Sequence, residues 1–223
     1  MIYLVPGLGA DYRVFEAIHL DGYETKILVW EQPLPNEPIE EYTKRMAKQV
    51  THTAPIFIGL SFGGLIAAEL TKLFPGSKLI LISSIASRKE IPWWSKLGAT
   101  LRMNHWFSGE FMKKPNAAIR WIFSIAPGHQ RKLFDAILRD SDPVFLPWAL
   151  NALLHWKGNG AQRIHHIHGK KDRLLPFRFT TADVAIDDGA HFMIVSHGEK
   201  ISRMLKEMVG EIHLSNVAGM KNG

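Results

Sequence analysis

Ser61 lies in Gly59-Leu60-Ser61-Phe62-Gly63-Gly64, directly after the apolar run Pro55–Gly59 and directly before Phe62–Leu73, a helix pattern closed by Phe74-Pro75-Gly76. A serine between strand and helix, with glycine two residues to either side, fits a sharp turn that exposes its hydroxyl and lets neighbouring backbone approach without a Cβ clash. Free amides and the positive end of a helix dipole would face that hydroxyl. A hydroxyl is a weak nucleophile at neutral pH, so it needs a base, and the base needs an orienting acid. The apolar run Ile164–His168 continues into Gly169-Lys170-Lys171-Asp172, and Thr181–Ile186 continues into Asp187-Asp188-Gly189-Ala190-His191. Ser61, Asp172 and His191 therefore each follow a predicted strand, in the order serine, acid, histidine. A glycine-rich packing turn would account for Ser61 alone but not for all three.

The elements that must position these residues alternate along the chain. Apolar runs at Ile2–Val5, Lys26–Trp30, Pro55–Gly59 and Leu79–Ser83 predict four strands, separated by helix patterns at Tyr12–Leu20, Ile39–Val50 and Phe62–Leu73. After an interruption the alternation resumes with strands Ile164–His168 and Thr181–Ile186 and a final helix over Glu199–Val209. Strands apolar on both faces and separated by helices predict an α/β fold: a mostly parallel sheet of about six strands with helices on both faces. Catalytic groups of such sheets collect at the carboxyl ends of the strands, where all three residues fall. The expected division is a core of residues 1–85 and 160–213, an insert of residues 86–159 and a flexible tail of residues 214–223.

With these motifs in place, the chain resembles a compact member of the α/β-hydrolase superfamily, of the serine hydrolase or carboxylesterase type. The similarity covers nearly the whole chain and is sharpest at Pro6–Asp11, Gly59–Gly64, His168–Pro176 and Gly189–Phe192. It implies Ser61 as nucleophile, His191 as base and Asp172 as acid, in preference to Asp140, Asp142, Asp183, Asp187 and Asp188. It also implies that the backbone N–H groups of Leu8 and Phe62 form an oxyanion hole and that the insert after the fourth strand is a helical cap. Many relatives carry His-Gly where this chain has Pro6-Gly7, and larger ones have two further strands ahead of it. The implied reaction is hydrolysis of a carboxylic ester or thioester through an acyl-enzyme. A carbon–carbon hydrolase or lyase on the same residues, and a small-ligand receptor retaining them, are the alternatives.

The composition narrows the setting. No cysteine is present, which excludes a disulfide framework, a thiolate metal site and a cysteine nucleophile, and favours a reducing compartment, the cytoplasm. Met1 reads as the mature start, without a signal peptide. The uncharged stretch Ala54–Ala68 is too short and too glycine-rich to span a bilayer. The chain carries a net charge of +6, and Arg88–Lys132 contains nine basic residues against only Glu90 and Glu110. Six of the seven tryptophans fall between Trp93 and Trp156. A basic, aromatic insert over the serine suits a small-molecule ester or thioester, anionic or carrier-bound. Nucleic acid is not expected, since no recognition motif accompanies the charge. His165-His166-Ile167-His168 would send His166 and His168 to one face of a strand, with no further ligand at metal spacing, so no metal site is expected. No dinucleotide or phosphate-loop pattern is present, and no cofactor is expected.

Overall fold

The structure is a computed structural model of the 223-residue chain and describes residues 1–92, 109–158 and 164–221. Six strands, β1 (Ile2–Val5), β2 (Thr25–Ile27), β3 (Ile56–Leu60), β4 (Lys78–Ile82), β5 (Ile164–Gly169) and β6 (Val184–Ile186), form one sheet in the order β2-β1-β3-β4-β5-β6. Every neighbouring pair is parallel. From β1 the chain first moves outward to β2, then returns to β3 on the other side of β1. This reversal opens a crevice beyond the carboxyl ends of β1 and β3, the place where open α/β sheets bind ligands.

Alternation along each strand sorts the core into two layers. Ile2, Leu4, Ile56, Ile58, Ile80 and Ile82 face one side, where Val14, Phe15 and the helices α7 (Met193–Ser196) and α8 (Gly198–Lys221) cover them. Tyr3, Val5, Phe57, Leu79 and Leu81 face the other, against α1 (Ile39–Met46) and α2 (Phe62–Leu73). The fold is the α/β sheet expected from the sequence. No described helix is long and apolar enough to cross a membrane.

Tertiary bonds account for the boundaries that differ from the periodicity. Tyr12–Leu20 forms only a 3-10 turn at Tyr12–Phe15, because the His19 amide donates to Ser202 Oγ on α8 (2.9 Å) instead of to its own helix. Strand β2 stops at Ile27, before the predicted Trp30, because the Gln49 amide takes both the N–H and the C=O of Val29 (2.9 Å each). Strand β6 starts at Val184, after the predicted Thr181, whose backbone and hydroxyl both donate to Glu90 Oε1. Helix α8 outruns Val209 because Ile212 extends the apolar face made by Leu205 and Met208.

Between β4 and β5 the described residues form α3 (Gly109–Met112), α4 (Ala117–Ile122), α5 (His129–Asp140) and α6 (Phe145–His155). Helix α6 belongs to the layer of α1 and α2: Trp148 stacks on Tyr42 at 4.2 Å, and Trp156 is buried with its Nε1–H donated to Glu69 (2.7 Å). These two tryptophans glue the helix to the core. Trp93, Trp94, Trp106 and Phe107 lie outside the described residues.

Helix α2 starts so close to β1 that a Cβ on Gly63 would overlap the carbonyl oxygens of both Val5 and Pro6, closer than real Cβ contacts come. Neither partner is a side chain that can swing away. Gly63→Ala is therefore expected to destabilise the protein by about 1–3 kcal/mol. Gly210→Ala, in α8 with nothing within 4 Å of the new methyl, should be neutral or stabilising by up to about 1 kcal/mol. Urea unfolding of the two variants checks the contrast; equal effects would contradict the close approach.

Candidate active site

Ser61 joins β3 to α2 with φ 50° and ψ −122°, a left-handed conformation rare for a residue with a Cβ. Its neighbours hold it there. Its N–H donates to Ile82 O at the end of β4 (2.9 Å), and its C=O accepts from Ser84 Oγ (2.7 Å) and the Gly64 amide (2.9 Å). Gly59 is required two residues earlier, since a Cβ there would lie 2.5 Å from the Cα of Gly64.

The other two expected residues arrive on the loops after β5 and β6. Gly169 packs directly on the Gly189 carbonyl, and Lys171 N–H donates to Gly189 O (2.8 Å), so the loops carrying Asp172 and His191 are joined backbone to backbone. His191 Nε2 lies 2.9 Å from Ser61 Oγ, and His191 Nδ1 lies 2.7 Å from Asp172 Oδ2. An ionised carboxylate only accepts, so Nδ1 carries the proton and Nε2 is left as the acceptor facing the hydroxyl. Asp172 and His191 are 4% and 3% exposed, so this pairing is made out of water. The structure thus brings together the three residues that the sequence singled out.

The other carboxylates are engaged elsewhere. Asp140 pairs with Arg13, Asp187 with Lys170 and Asp188 with His197. Asp142 accepts from the Val144 amide, and Asp183 from the His166 amide.

Burial alone would raise the Asp172 carboxyl, but the charge of His191, hydrogen bonds from His168 and His191 and the Leu175 amide (2.8 Å) hold it well below the usual range. From the sequence His168 was placed only on a strand face shared with His166. Its Nε2 lies 2.8 Å from Leu175 O, which can only accept, so Nε2 carries a proton; Asp172 Oδ2 lies 3.3 Å from the same nitrogen. On its other side Nδ1 meets His166 Nε2 at 3.0 Å. His166 and His168 do share one face of β5, and they extend the Ser61–His191–Asp172 chain inward. Among the described residues no three His, Asp or Glu side chains converge to hold a metal ion.

Leu8 and Phe62 were expected to contribute backbone amides. Gly7 lies beside Ser61, since a Cβ on it would be 3.5 Å from the serine Cβ. In a trans peptide the N–H points opposite to the C=O, so fixing one aims the other. The Gly7 carbonyl, on the Gly7–Leu8 peptide, accepts from Trp30 Nε1 (3.3 Å) and the Ala10 amide (3.0 Å). The Ser61 carbonyl, on the Ser61–Phe62 peptide, is held by Ser84 and Gly64. Trp30 and Ser84 thereby fix the direction of both amides, and neither residue stands in a motif.

The insert reaches the site from α4 and α5. Phe123, just after α4, packs edge-on against the His191 ring at 5.3 Å, and Gln130 on α5 donates to Phe192 O (3.2 Å).

Comparison with known proteins follows the same lines. A profile of the alpha/beta hydrolase family matches residues 2–203. A search of curated protein sequences finds no match. Among solved structures, an esterase from Thermogutta terrifontis superposes with a TM-score of 0.71 at 15% identity, over 95% of this chain and 90% of that one. An esterase from Exiguobacterium antarcticum gives a TM-score of 0.70 at 18% identity, over 95% and 91%. An epoxide hydrolase from Bacillus megaterium gives 0.63 at 9% identity, over 94% and 93%. Likeness at these identities shows the shared fold.

The buried His166 makes the fold acid-sensitive. Burial, followed by the neighbouring charge of His168, pushes His166 down from 6.5 to about 3. The unfolded chain takes up this proton as pH falls through 6.5 and the folded chain does not until about 3, so stability is lost on acidification across that window. The slope is at most about 1.4 kcal/mol per pH unit. Asp172, whose folded value is lowered, adds a further loss below the ordinary 3.8. Urea midpoints measured between pH 7 and pH 5 should fall for the natural chain and fall less for His166→Gln.

Proposed function

Because the chain belongs to the alpha/beta hydrolase family, we propose that it is a serine hydrolase cleaving a carboxylic ester or thioester through an acyl-enzyme. The observation that carries this reading is the unbroken chain from Ser61 Oγ through the His191 ring to Asp172, at 2.9 and 2.7 Å. In it Ser61 Oγ attacks the carbonyl carbon as its proton passes to His191 Nε2. Asp172 holds the Nδ1–H tautomer and stabilises the imidazolium that forms. The Leu8 and Phe62 amides receive the negative charge that develops on the carbonyl oxygen. The imidazolium then returns its proton to the departing alcohol or thiol, and a water activated by the same nitrogen releases the acid and restores Ser61.

Residues 86–159 act in this reading as a cap; the contact of Phe123 with His191 supports it. The substrate is a small molecule, and the cysteine-free chain works in the cytoplasm.

A fluorophosphonate probe should label the protein, and Ser61→Ala should lose both labelling and ester turnover. Asp172→Asn should lower kcat by about ten-thousand-fold by releasing the wrong tautomer. Labelling without turnover of any p-nitrophenyl ester or acyl thioester would overturn the ester reading; no labelling of folded protein would overturn the activated serine itself.

Trp30→Phe and Ser84→Ala test the aiming of the two amides. Each should lower kcat about tenfold or more with little change in KM, because the charge they serve develops only in the transition state. A rise in KM at constant kcat would instead give both residues a role in substrate binding.

A further inference from the structure

Beside the loops that carry Asp172 and His191 lies a pocket of about 490 Å³ whose charged walls are all positive: Arg120 and Arg131 come from the insert, Lys171 and Arg173 from the loop after β5. No carboxylate lines it among the described residues. Arg120 is neutralised by a two-pronged pair with Asp135 (2.8 and 2.7 Å), but Arg131 and Lys171 make no ion pair among the described residues. Arg173 is held in place without being neutralised: its guanidinium lies 4.8 Å over the Trp121 ring and donates to Trp121 O (3.2 Å). Three positive charges therefore converge on one concavity with no ion pair among the described residues, although Arg131 also acts at longer range on Asp135 and Lys171 on Asp188. Such an arrangement opposes itself until an anion occupies it, and the apolar walls focus its field.

The pocket's place in the fold connects it to the reaction. Lys171 and Arg173 flank Asp172, Ala190 in its wall precedes His191, and Ser124 in its wall follows Phe123, whose ring rests on the imidazole. We propose that this pocket binds the anionic end of the substrate, a carboxylate or phosphate borne by the ester, with the fixed guanidinium of Arg173 and the side chains of Arg131 and Lys171 closing on it. Trp121, 63% exposed, offers its ring to the neighbouring apolar part of the molecule. This inference rests on the hydrolase reading above, and it turns a basic insert into a shared site: two of its three unpaired charges come from the core loop that also delivers Asp172.

The test compares monomethyl esters of dicarboxylic acids, from succinate to suberate, with methyl esters of the matching neutral acids. The anionic series should be preferred in kcat/KM, and the preference should fall with added salt. The double variant Arg131→Gln, Lys171→Gln should reduce the ratio of the two kcat/KM values by about tenfold. The same loss of charge on the far side of the sheet, Lys44→Gln with Lys48→Gln, should leave the ratio as it was.

A separate arm needs no turnover: calorimetric binding of glutarate and of inorganic phosphate to Ser61→Ala, with and without the double substitution. Binding that the double substitution abolishes supports the pocket even where no ester is cleaved, and the stronger of the two anions identifies carboxylate or phosphate. Ester turnover with no anionic preference, together with no binding of either anion, overturns the pocket and leaves the hydrolase reading standing. Failure of probe labelling at Ser61 with anion binding intact overturns the hydrolase reading alone.

Discussion

The first turn of α2 and the end of β1 are in backbone contact at Gly63, with no space for a side chain between them. The rest of the site depends on this constraint. Ser61 follows β3, whereas the Gly7–Leu8 peptide follows β1, and the sheet and this contact hold the two in register. Because β1 and β3 are neighbours whose connections leave in opposite directions, the space above them is a crevice rather than a packed surface. In the proposed reaction the donors come from two strands and must be kept within about half an ångström of the productive geometry. Backbone meeting backbone achieves this better than side chains can, since it has no rotamers to lose.

A second layer of fixing acts on the carbonyls that face away from the reaction. Ser61 is held at φ 50°, a conformation that costs on the order of 1–3 kcal/mol and persists only when its surroundings impose it. Ile82, Ser84 and Gly64 impose it with three hydrogen bonds to the Ser61 backbone. On the other strand the Gly7 carbonyl is tied to Trp30 and Ala10. In the proposed reaction the two amides on these peptides meet the developing charge without first reorienting, and that absence of reorganisation is what makes fixed dipoles more effective than water.

The sequence made the sheet, Ser61, Asp172 and His191 legible because each depends on local pattern: an apolar run, a glycine-flanked turn, a polar loop after a strand. Trp30 and Ser84 were not legible, because what they do is defined by residues distant in the chain, and His168 was not, because its role depends on how the loop after β5 turns back. Trp30 bonds the backbone of Gly7, and His168 meets an acid that its own loop folds back. The same distinction explains the boundaries. Gln49 ends β2 and Ser202 stops the turn after Phe15 from growing into a helix, and neither event leaves a trace in periodicity. The basic run of the insert was visible as composition, but its convergence with Lys171 and Arg173 required α4 to be placed against the loop after β5.

Burying Asp172 beside His191 creates a demand that the inner histidines meet. An ionised carboxylate out of water must be offered donors, and His191, the Leu175 amide and His168 supply them. His168 can donate through Nε2 only if its Nδ1 is free to accept, and His166 provides that donor from deeper in the sheet. His166 then ends the chain with its own Nδ1 buried and unpartnered, in surroundings that keep it neutral. An apolar side chain at this position would spare the fold an unsatisfied atom, yet it would leave His168 Nδ1 without a partner and loosen its hold on the acid. The cost of keeping Asp172 ionised is thus carried two residues away from any reacting atom, and acid weakens the fold there before it protonates the carboxylate.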